Sequence, residues 1–227
     1  MHPFLTNNAL KIIAMISMLI DHVGMEIFPQ YKIFRIIGRL AFPIFAYMIA
    51  EGCLYTKNRK KYLLIIAGMG LGCQAVYTIV SHSFHLNILL TFSLSIASIF
   101  AIDNFLEKKN KFSFLCMSGV IAGVICISLV FPTVFENKGF DIDYGFLGMV
   151  LPVAVYYSHG KTSKIISTAA VLILISFMSG EIQFFSLLSI PLLLLYNGKR
   201  GKINLKYLFY IFYPAHLVII YLIDTLI

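Results

Sequence analysis

The sequence predicts an all-α integral membrane protein, because of its composition and the length of its apolar runs. Of the 227 residues, 59% are hydrophobic and only 12% are charged. A helix needs roughly 20 apolar residues to cross about 30 Å of hydrocarbon, and it satisfies its own backbone hydrogen bonds there. Short polar breaks separate the apolar runs, and no linker or internal repeat is visible. We therefore expect a polytopic helical bundle that forms one domain over residues 1–227.

Nine apolar runs are candidates for transmembrane helices. They cover residues 9–28, 33–56, 62–81, 86–106, 112–131, 144–158, 165–179, 182–197 and 207–226. The sixth, seventh and eighth runs are shorter than a full span. The sequence thus predicts about nine transmembrane helices.

The formal net charge of +8 is explained by membrane topology, and we expect no nucleic acid partner. Of the 18 lysines and arginines, 13 lie in four loops, which are every second loop of the nine-helix topology. These residues are Lys57, Arg59, Lys60, Lys61, Lys108, Lys109, Lys111, Lys161, Lys164, Lys199, Arg200, Lys202 and Lys206. Positively charged loops stay on the cytoplasmic side. This predicts a multi-pass protein of the bacterial cytoplasmic (inner) membrane, with the N terminus in the cytoplasm and the C terminus outside.

Ionisable side chains within the spans mark the candidate site, because a charge at membrane depth is costly and usually faces a partner or a wet cavity. If FPQY is the turn of a helical hairpin, Asp21 and Arg39 lie equally far from Gln30. We therefore predict that Asp21 pairs with Arg39 or Arg35, and that Gly38 lets the two helices approach closely. The alternative is an ion pair that only joins two helices.

Lys11 and His22 share one face of the first helix. They are eleven residues apart, which is three turns within about 20° and a separation of about 16 Å. One extended ligand of the shape of coenzyme A can contact both, with its phosphates near Lys11 and its thioester near His22. A neutral imidazole there can act as a general base. The alternatives are a snorkelling lysine, a Lys11–Glu51 ion pair and a hydrogen-bonded core histidine.

Three blocks of the chain together resemble the TraX family, named for the enzyme that acetylates the N terminus of conjugative pilin. The blocks are LKIIAMISMLIDHVG, then RIIGRLAFPIFAYMIAEG followed by TKNRKKYL, and YLFYIFYPAHLVIIYLI. The resemblance covers the whole chain in order and implies a membrane acetyltransferase that uses acetyl-CoA. The first block is also distantly similar to the acyltransferase-3 membrane family, in which an arginine and a catalytic histidine have the spacing of Lys11 and His22.

Further polar residues fit a cavity that is entered from both sides of the membrane. Asn87 and Thr91 are four residues apart at the outer end of the fourth span, and Asp143 and Tyr144 open the sixth. We predict that these four bind the acceptor. His216 lies in the last span, two residues after Pro214. Each has a structural alternative: an interhelical contact for Asn87 and Thr91, a helix cap for Asp143, and a hydrogen-bonded core group for His216.

Together these observations favour an acyltransferase that moves an acetyl group from cytoplasmic acetyl-CoA to a peptide N terminus or envelope glycan at the outer face. His22, Asp21 and Arg39 are the predicted catalytic residues. The predicted donor-binding residues are Lys11, Arg35, Glu51 and His216. Two other classes stay open: a proton-coupled transporter and a non-catalytic membrane assembly factor. No metal site is predicted, because the candidate ligands lack a recognisable spacing.

Overall fold

A computed structural model describes residues 3–81, 84–202 and 205–226, and the chain in it is almost entirely helical. The helices are α1 (Asn7–Glu26), α2 (Lys32–Gly38), α3 (Ala41–Tyr55), α4 (Arg59–Ser81), α5 (Ile88–Lys108), α6 (Lys111–Ile125), α7 (Phe131–Val134), α8 (Gly145–Tyr157), α9 (Gly160–Ser179), α10 (Ser189–Leu194) and α11 (Lys206–Asp224). A π-helical turn at Cys126–Val130 joins α6 to α7, and a 3-10 helix at Glu181–Leu188 precedes α10. The chain divides into two compact units, Met1–Met48 with Gly160–Ile227 and Ile49–His159.

The first unit contains α1, α2, the start of α3 and all helices from α9 onwards. α1 packs against both α2 and α11, and the 3-10 helix Glu181–Leu188 packs against α2 and α9. Thr6 caps the start of α1 by accepting a hydrogen bond from the backbone N–H of Ala9 at 3.2 Å. α1, which carries Asp21 and His22, therefore lies between α2 and α11.

The predicted second span is divided into α2 and α3. α2 ends at Gly38 and α3 begins at Ala41, so Pro43 lies in the first turn of α3. A proline is tolerated there because the N–H groups of a first helical turn have no intrahelical acceptor. The helix is thus interrupted just before Pro43, and Arg39 lies at that break.

The second unit is built around α5, which packs against α4, α6 and α8. It also holds a short parallel pair of strands, β1 (His85–Leu86) and β2 (Asp141–Ile142), with His85 opposite Asp141. Ile142, Met149 and Val124 form a buried cluster beside these strands. In the described residues, this pair and an isolated parallel bridge between Leu5 and Tyr196 are the strand pairings of an otherwise helical fold.

The nine apolar runs all coincide with helical segments in the described residues. Six of these segments are long and apolar enough to cross a membrane, and they include the seventh run, which extends from Gly160 to Ser179. The seventh is longer than predicted because its helix includes the polar residues of GKTSK. The other three apolar helices are shorter. The number of spans, their orientation and the single domain stay predictions.

Several helices expose apolar side chains in the way that lipid-facing helices do. On α4, Leu64 and Ile79 are 70% and 73% exposed, and on α6, Leu115 is 69% exposed. Large apolar surfaces of this kind are costly in water but not in hydrocarbon. The chain is therefore a helical multi-pass membrane protein.

Candidate functional site

Asp21 is held by two arginines of the neighbouring helix. Arg35 Nη1 donates to Asp21 Oδ2 at 2.8 Å, and Arg39 Nη2 donates to Asp21 Oδ1 at 3.1 Å. The predicted ion pair is observed, and it involves both arginines because they lie four residues apart on one face of α2 and its C-cap. The three side chains are 14–30% exposed, so these charges are only partly hydrated.

Gly38 brings α1 and α2 close enough for this ion pair. A Cβ atom added at Gly38 would collide with the carboxylate of Asp21, and one added at Gly24 would collide with the side chain of Phe34. Glycine removes this steric limit and lets helix backbones approach closely in membranes. The contact predicted for Gly38 is therefore present.

Arg39 connects the ion pair to the 3-10 helix. Its Nη1 donates to Gln183 Oε1 at 3.1 Å, and its Nε donates to the Arg35 carbonyl at 3.3 Å. All three guanidinium nitrogens of Arg39 thus have a protein acceptor. Gln183 was not among the residues chosen from the sequence, although a glutamine within the apolar run 182–197 was a visible signal.

His22 projects from α1 on a different face from Asp21. Its Nδ1 lies 2.8 Å from the carbonyl oxygen of Met18. A carbonyl can only accept, so Nδ1 must carry the hydrogen, and in the neutral ring Nε2 is then the basic nitrogen. The Met18 bond therefore orients the ring with the lone pair of Nε2 as its basic site.

His216 of α11 lies next to His22. The two ring centroids are 5.1 Å apart in an edge-to-face arrangement, and His216 stacks on Phe212 at 4.8 Å. His216 Nδ1 lies 2.9 Å from the Phe212 carbonyl, so in the neutral ring its Nε2 is also the basic nitrogen. His216 is only 3% exposed, and within the described residues its Nε2 has no hydrogen-bond partner. The sequence identified both histidines but not their contact.

Lys11 lies near the other end of α1, where a basic loop is attached to the helix. Its Nζ is 5.2 Å from the centroid of the Phe209 ring. The N–H groups of Asn7 and Asn8 donate to the carbonyls of Lys199 and Arg200 at 2.8 and 3.2 Å. Among the described residues of the first unit, no carboxylate forms an ion pair with Lys11. Lys11 therefore lies near the end of α1 to which this cationic loop is hydrogen-bonded.

The predicted acceptor-binding residues all lie in the second unit, where protein groups already bond most of them. Asn87 caps α5 by accepting from the Leu89 N–H at 3.0 Å and donates to the Gly70 carbonyl at 2.9 Å. The Thr91 hydroxyl donates to the Asp143 carbonyl at 3.0 Å. These contacts match the structural alternative for Asn87 and Thr91, and their role toward an acceptor stays a prediction.

Asp143 does not form the helix cap that was its structural alternative. Tyr144, in a left-handed conformation with φ of 59°, occupies the N-cap position of α8. Asp143 instead pairs with His85, whose Nε2 is 3.0 Å from Asp143 Oδ1. This hydrogen bond raises the pKa of His85 above its ordinary value, against the effect of partial burial. Glu51 is buried on α3, also in the second unit.

The described residues contain no group of three or more histidine, cysteine, aspartate or glutamate side chains placed to hold a metal ion. The first unit contains two histidines in contact, each with Nε2 as the basic nitrogen of the neutral ring. It also contains an ion pair that is hydrogen-bonded to the 3-10 helix, and a helix α1 with a cationic end. Such an arrangement can remove a proton from a bound amine or hydroxyl, and it can bind an anionic group about three helical turns away.

This chain is similar in sequence to a protein family and to known proteins. A family model described as TraX protein matches residues 6–224. A Dichelobacter nodosus protein, named probable fimbrial assembly protein FimC of serogroup H1, is 25% identical over 244 residues, which cover 93% of this chain and 92% of that protein. An uncharacterized protein of Rickettsia prowazekii (strain Madrid E) is 38% identical over 55 residues, covering 24% and 22%. No solved structure matches the chain.

Proposed function

The chain belongs to the TraX family, and we propose that it is a membrane-embedded acyltransferase that uses acetyl-CoA. The acceptor is an amine or hydroxyl at the outer face, such as a peptide N terminus or an envelope glycan. The observation that carries this proposal is the hydrogen bond from His22 Nδ1 to the Met18 carbonyl. It leaves Nε2 as the basic nitrogen of a half-buried imidazole, which is what a general base requires.

The proposed reaction is a direct acyl transfer. His22 Nε2 takes the proton of the acceptor N–H or O–H as the acceptor atom attacks the thioester carbonyl carbon. The carbonyl π bond opens to an oxyanion, and its return expels the coenzyme A thiolate as the C–S bond breaks. The thiolate takes the proton from the imidazolium. The products are the acetylated acceptor and free coenzyme A, and His22 is neutral again.

Asp21 and the two arginines have different proposed roles. Arg39 uses all three of its nitrogens for protein acceptors, which supports a positioning role between α1 and the 3-10 helix. Arg35 uses a single nitrogen toward Asp21 among the described residues, so it keeps N–H groups for the donor. Asp21 forms ion pairs with both guanidinium groups. It directly precedes His22, the proposed base, in the sequence.

The donor's phosphates are proposed to bind at the Lys11 end of α1. The first N–H groups of α1 already donate to Thr6, Lys199 and Arg200, so a phosphate there must be bound by side-chain cations. Lys11 and the Lys199–Lys202 loop supply such cations. The separation of about 16 Å from Lys11 to His22 suits the extended pantetheine arm. The donor therefore enters from the side where this loop lies, which the charge pattern predicts to be cytoplasmic.

A second candidate function is a non-catalytic membrane assembly factor, which the name of the Dichelobacter nodosus relative favours. In that case the charges within the helices would matter for folding only. The two functions differ in whether the protein binds and consumes acetyl-CoA, because an assembly factor needs no acyl donor.

The deciding experiment uses the purified full chain with acetyl-CoA that carries a labelled acetyl group. We expect saturable binding together with slow hydrolysis, or transfer when an acceptor peptide or glycan is supplied. His159→Gln, which changes an exposed histidine outside the site, is the matched control and should keep both activities. Absence of binding and of hydrolysis in folded wild-type protein would contradict the proposed function and favour the assembly factor.

A further inference from the structure

The 3-10 helix Glu181–Leu188 presents two buried polar groups without a partner. Gln183 is 3% exposed and Ser186 is fully buried. Within the described residues, Gln183 Nε2 and Ser186 Oγ have no hydrogen-bond partner. Residues three apart in a 3-10 helix lie on the same face, about 6 Å apart along the axis. One acceptor atom on that face is therefore within reach of both side chains.

Gln183 is oriented so that its amide nitrogen points away from Arg39. Its Oε1 accepts from Arg39 Nη1, and a guanidinium can only donate. Turning the amide around would bring two donors together, so the NH₂ group must point away from Arg39. The site at Gln183 therefore requires an acceptor atom.

Ser186 differs from its buried neighbour Ser189 in how its hydroxyl is used. The Ser189 hydroxyl donates to the Ser186 carbonyl at 2.7 Å, the usual solution for a buried serine in a helix. The Ser186 hydroxyl makes no such bond in the described chain, although it is equally buried. Buried polar groups of this kind normally have a partner. Its hydroxyl is thus available to donate to the same ligand atom as Gln183.

We propose that Gln183 Nε2 and Ser186 Oγ bind the carbonyl oxygen of the donor's acyl group. This inference rests on the proposed acyl transfer. A thioester carbonyl offers an acceptor oxygen, which becomes an oxyanion as the acceptor attacks, so both hydrogen bonds strengthen along the reaction. His216 Nε2, the third buried polar atom without a partner among the described residues, is itself an acceptor in the neutral ring and does not suit a carbonyl oxygen.

The test compares two ligands that differ at this oxygen alone. Ethyl-CoA is a thioether that carries two hydrogens in place of the carbonyl oxygen of acetyl-CoA. We expect the purified full chain to bind acetyl-CoA roughly 3- to 10-fold more tightly than ethyl-CoA in titration calorimetry, because a net hydrogen bond has about this value. This comparison needs no variant.

Two variants then assign the effect to the 3-10 helix. Ser186→Ala removes the unpartnered hydroxyl, and Gln183→Glu keeps an oxygen for Arg39 but removes the amide donor. Each should lower the affinity for acetyl-CoA toward that for ethyl-CoA, because one of the two donors is lost, while the affinity for ethyl-CoA stays near wild type. Ser189→Ala is the matched control, and it should keep the wild-type difference between the two ligands.

Ser186→Ala also has a distinctive effect on folding. Removing a buried hydroxyl that has no partner should leave the unfolding temperature unchanged or raise it. If both variants fold and the preference for acetyl-CoA persists, these groups bind only water and the inference is wrong. Equal wild-type affinities for the two ligands would also overturn it, while the proposed function survives. If neither ligand binds the wild-type protein, the proposed function and this inference both fail.

Discussion

His22 on α1 and His216 on α11 meet edge to face, with ring centroids 5.1 Å apart. Each ring donates its Nδ1–H to the carbonyl four residues earlier, Met18 for His22 and Phe212 for His216. Both imidazoles therefore have the same tautomer and a basic Nε2. They differ in access, because His216 is 3% exposed and His22 is half-buried. A substrate from outside the bundle reaches His22 more readily.

His22→Gln separates a general base from a hydrogen-bonded core residue. Glutamine keeps polarity but cannot titrate, so the variant should lose roughly 10²-fold or more in acetyl transfer. Binding of acetyl-CoA should stay near wild type, because the imidazole acts on the acceptor. Single-turnover transfer of labelled acetyl groups, with calorimetric binding, measures both quantities.

The same assay on His216→Gln identifies the base. If His22 is the base, the loss of transfer in His216→Gln is the smaller of the two. A folded His22→Gln protein that transfers acetyl groups at the wild-type rate would remove His22 from the mechanism and leave His216 as the next candidate.

The Asp21–Arg39 ion pair should be visible in a double-mutant cycle. Asp21→Ala leaves two guanidinium groups without their carboxylate, and we expect a loss of about 2–4 kcal/mol in unfolding free energy, less than for a fully buried pair because the groups are partly exposed. Unfolding in detergent of Asp21→Ala, Arg39→Ala and the double variant gives the coupling energy, which should exceed about 1 kcal/mol.

The matched control for this cycle is Asp21→Ala combined with Lys161→Ala. Lys161 donates to the carbonyl oxygens of Leu194 and Tyr196 and shares no partner with Asp21 among the described residues. These two effects should add. Additive effects for Asp21 and Arg39 as well would show that the pairing is absent in the membrane protein.

The ion pair could be predicted from the sequence because it lies within one helical hairpin. Asp21 and Arg39 are equally far from the turn, so simple counting gives a shared depth. The Arg39–Gln183 bond joins residues 144 positions apart, and it depends on how the 3-10 helix packs against α2. No local pattern encodes such packing. The His22–His216 contact was missed for the same reason, since it follows from α1 packing against α11.

Local structure was also only partly predictable. An apolar run predicts the length of a helix. The interruption of the helix at Arg39 and Leu40, however, depends on how the backbone accommodates Pro43. The parallel pair β1–β2 has two residues in each strand, which is too short for an alternating pattern to appear. The sequence therefore predicts the apolar segments well and the irregular backbone within and between them poorly.

Gly38→Ala should destabilise the hairpin of α1 and α2. The added methyl group meets the Asp21 carboxylate, so the two helices must move apart or the ion pair must shift. We expect a loss of about 1–3 kcal/mol, as for other overpacked positions. Gly123→Ala in α6 is the matched control, because a Cβ there has no atom within 4 Å. It should be neutral or stabilise the helix by up to about 1 kcal/mol. Equal effects of the two changes on the unfolding temperature would show that Gly38 is not a contact point.

The His85–Asp143 pair predicts how the stability of the second unit depends on pH. The hydrogen bond to Asp143 raises the pKa of His85 in the folded protein, so the folded state holds this proton more tightly than the unfolded state. The stabilisation is complete below the ordinary histidine pKa of about 6.5 and is lost as the pH rises through the folded value. The unfolding temperature should therefore fall as the pH rises above about 6.5. The effect is small, because both side chains are more than a third exposed.

His85→Gln is the check on this assignment, since glutamine can keep a hydrogen bond to Asp143 but carries no titrating proton. Unfolding followed by intrinsic tyrosine fluorescence across this pH range should show a flatter profile for the variant. An unchanged slope would assign the pH dependence to other groups.

Lys11→Met should weaken the binding of the donor more than the chemical step. The proposed contact is with phosphates about 16 Å from His22, so the loss of one charge-assisted hydrogen bond should raise the Kd for acetyl-CoA roughly 10-fold or more. Single-turnover transfer from saturating acetyl-CoA should stay near wild type. Methionine preserves the apolar stem of the side chain and its packing beside Phe209.

Acetyl-pantetheine makes this prediction specific, because it carries the thioester and the extended arm but none of the phosphates of coenzyme A. Its affinity should be the same for wild type and Lys11→Met, so that the variant loses the preference for acetyl-CoA over acetyl-pantetheine. Lys57→Met, which changes an exposed loop lysine, is the matched control and should keep that preference. If Lys11→Met weakens both donors equally, Lys11 supports the fold of α1 and the phosphates bind elsewhere.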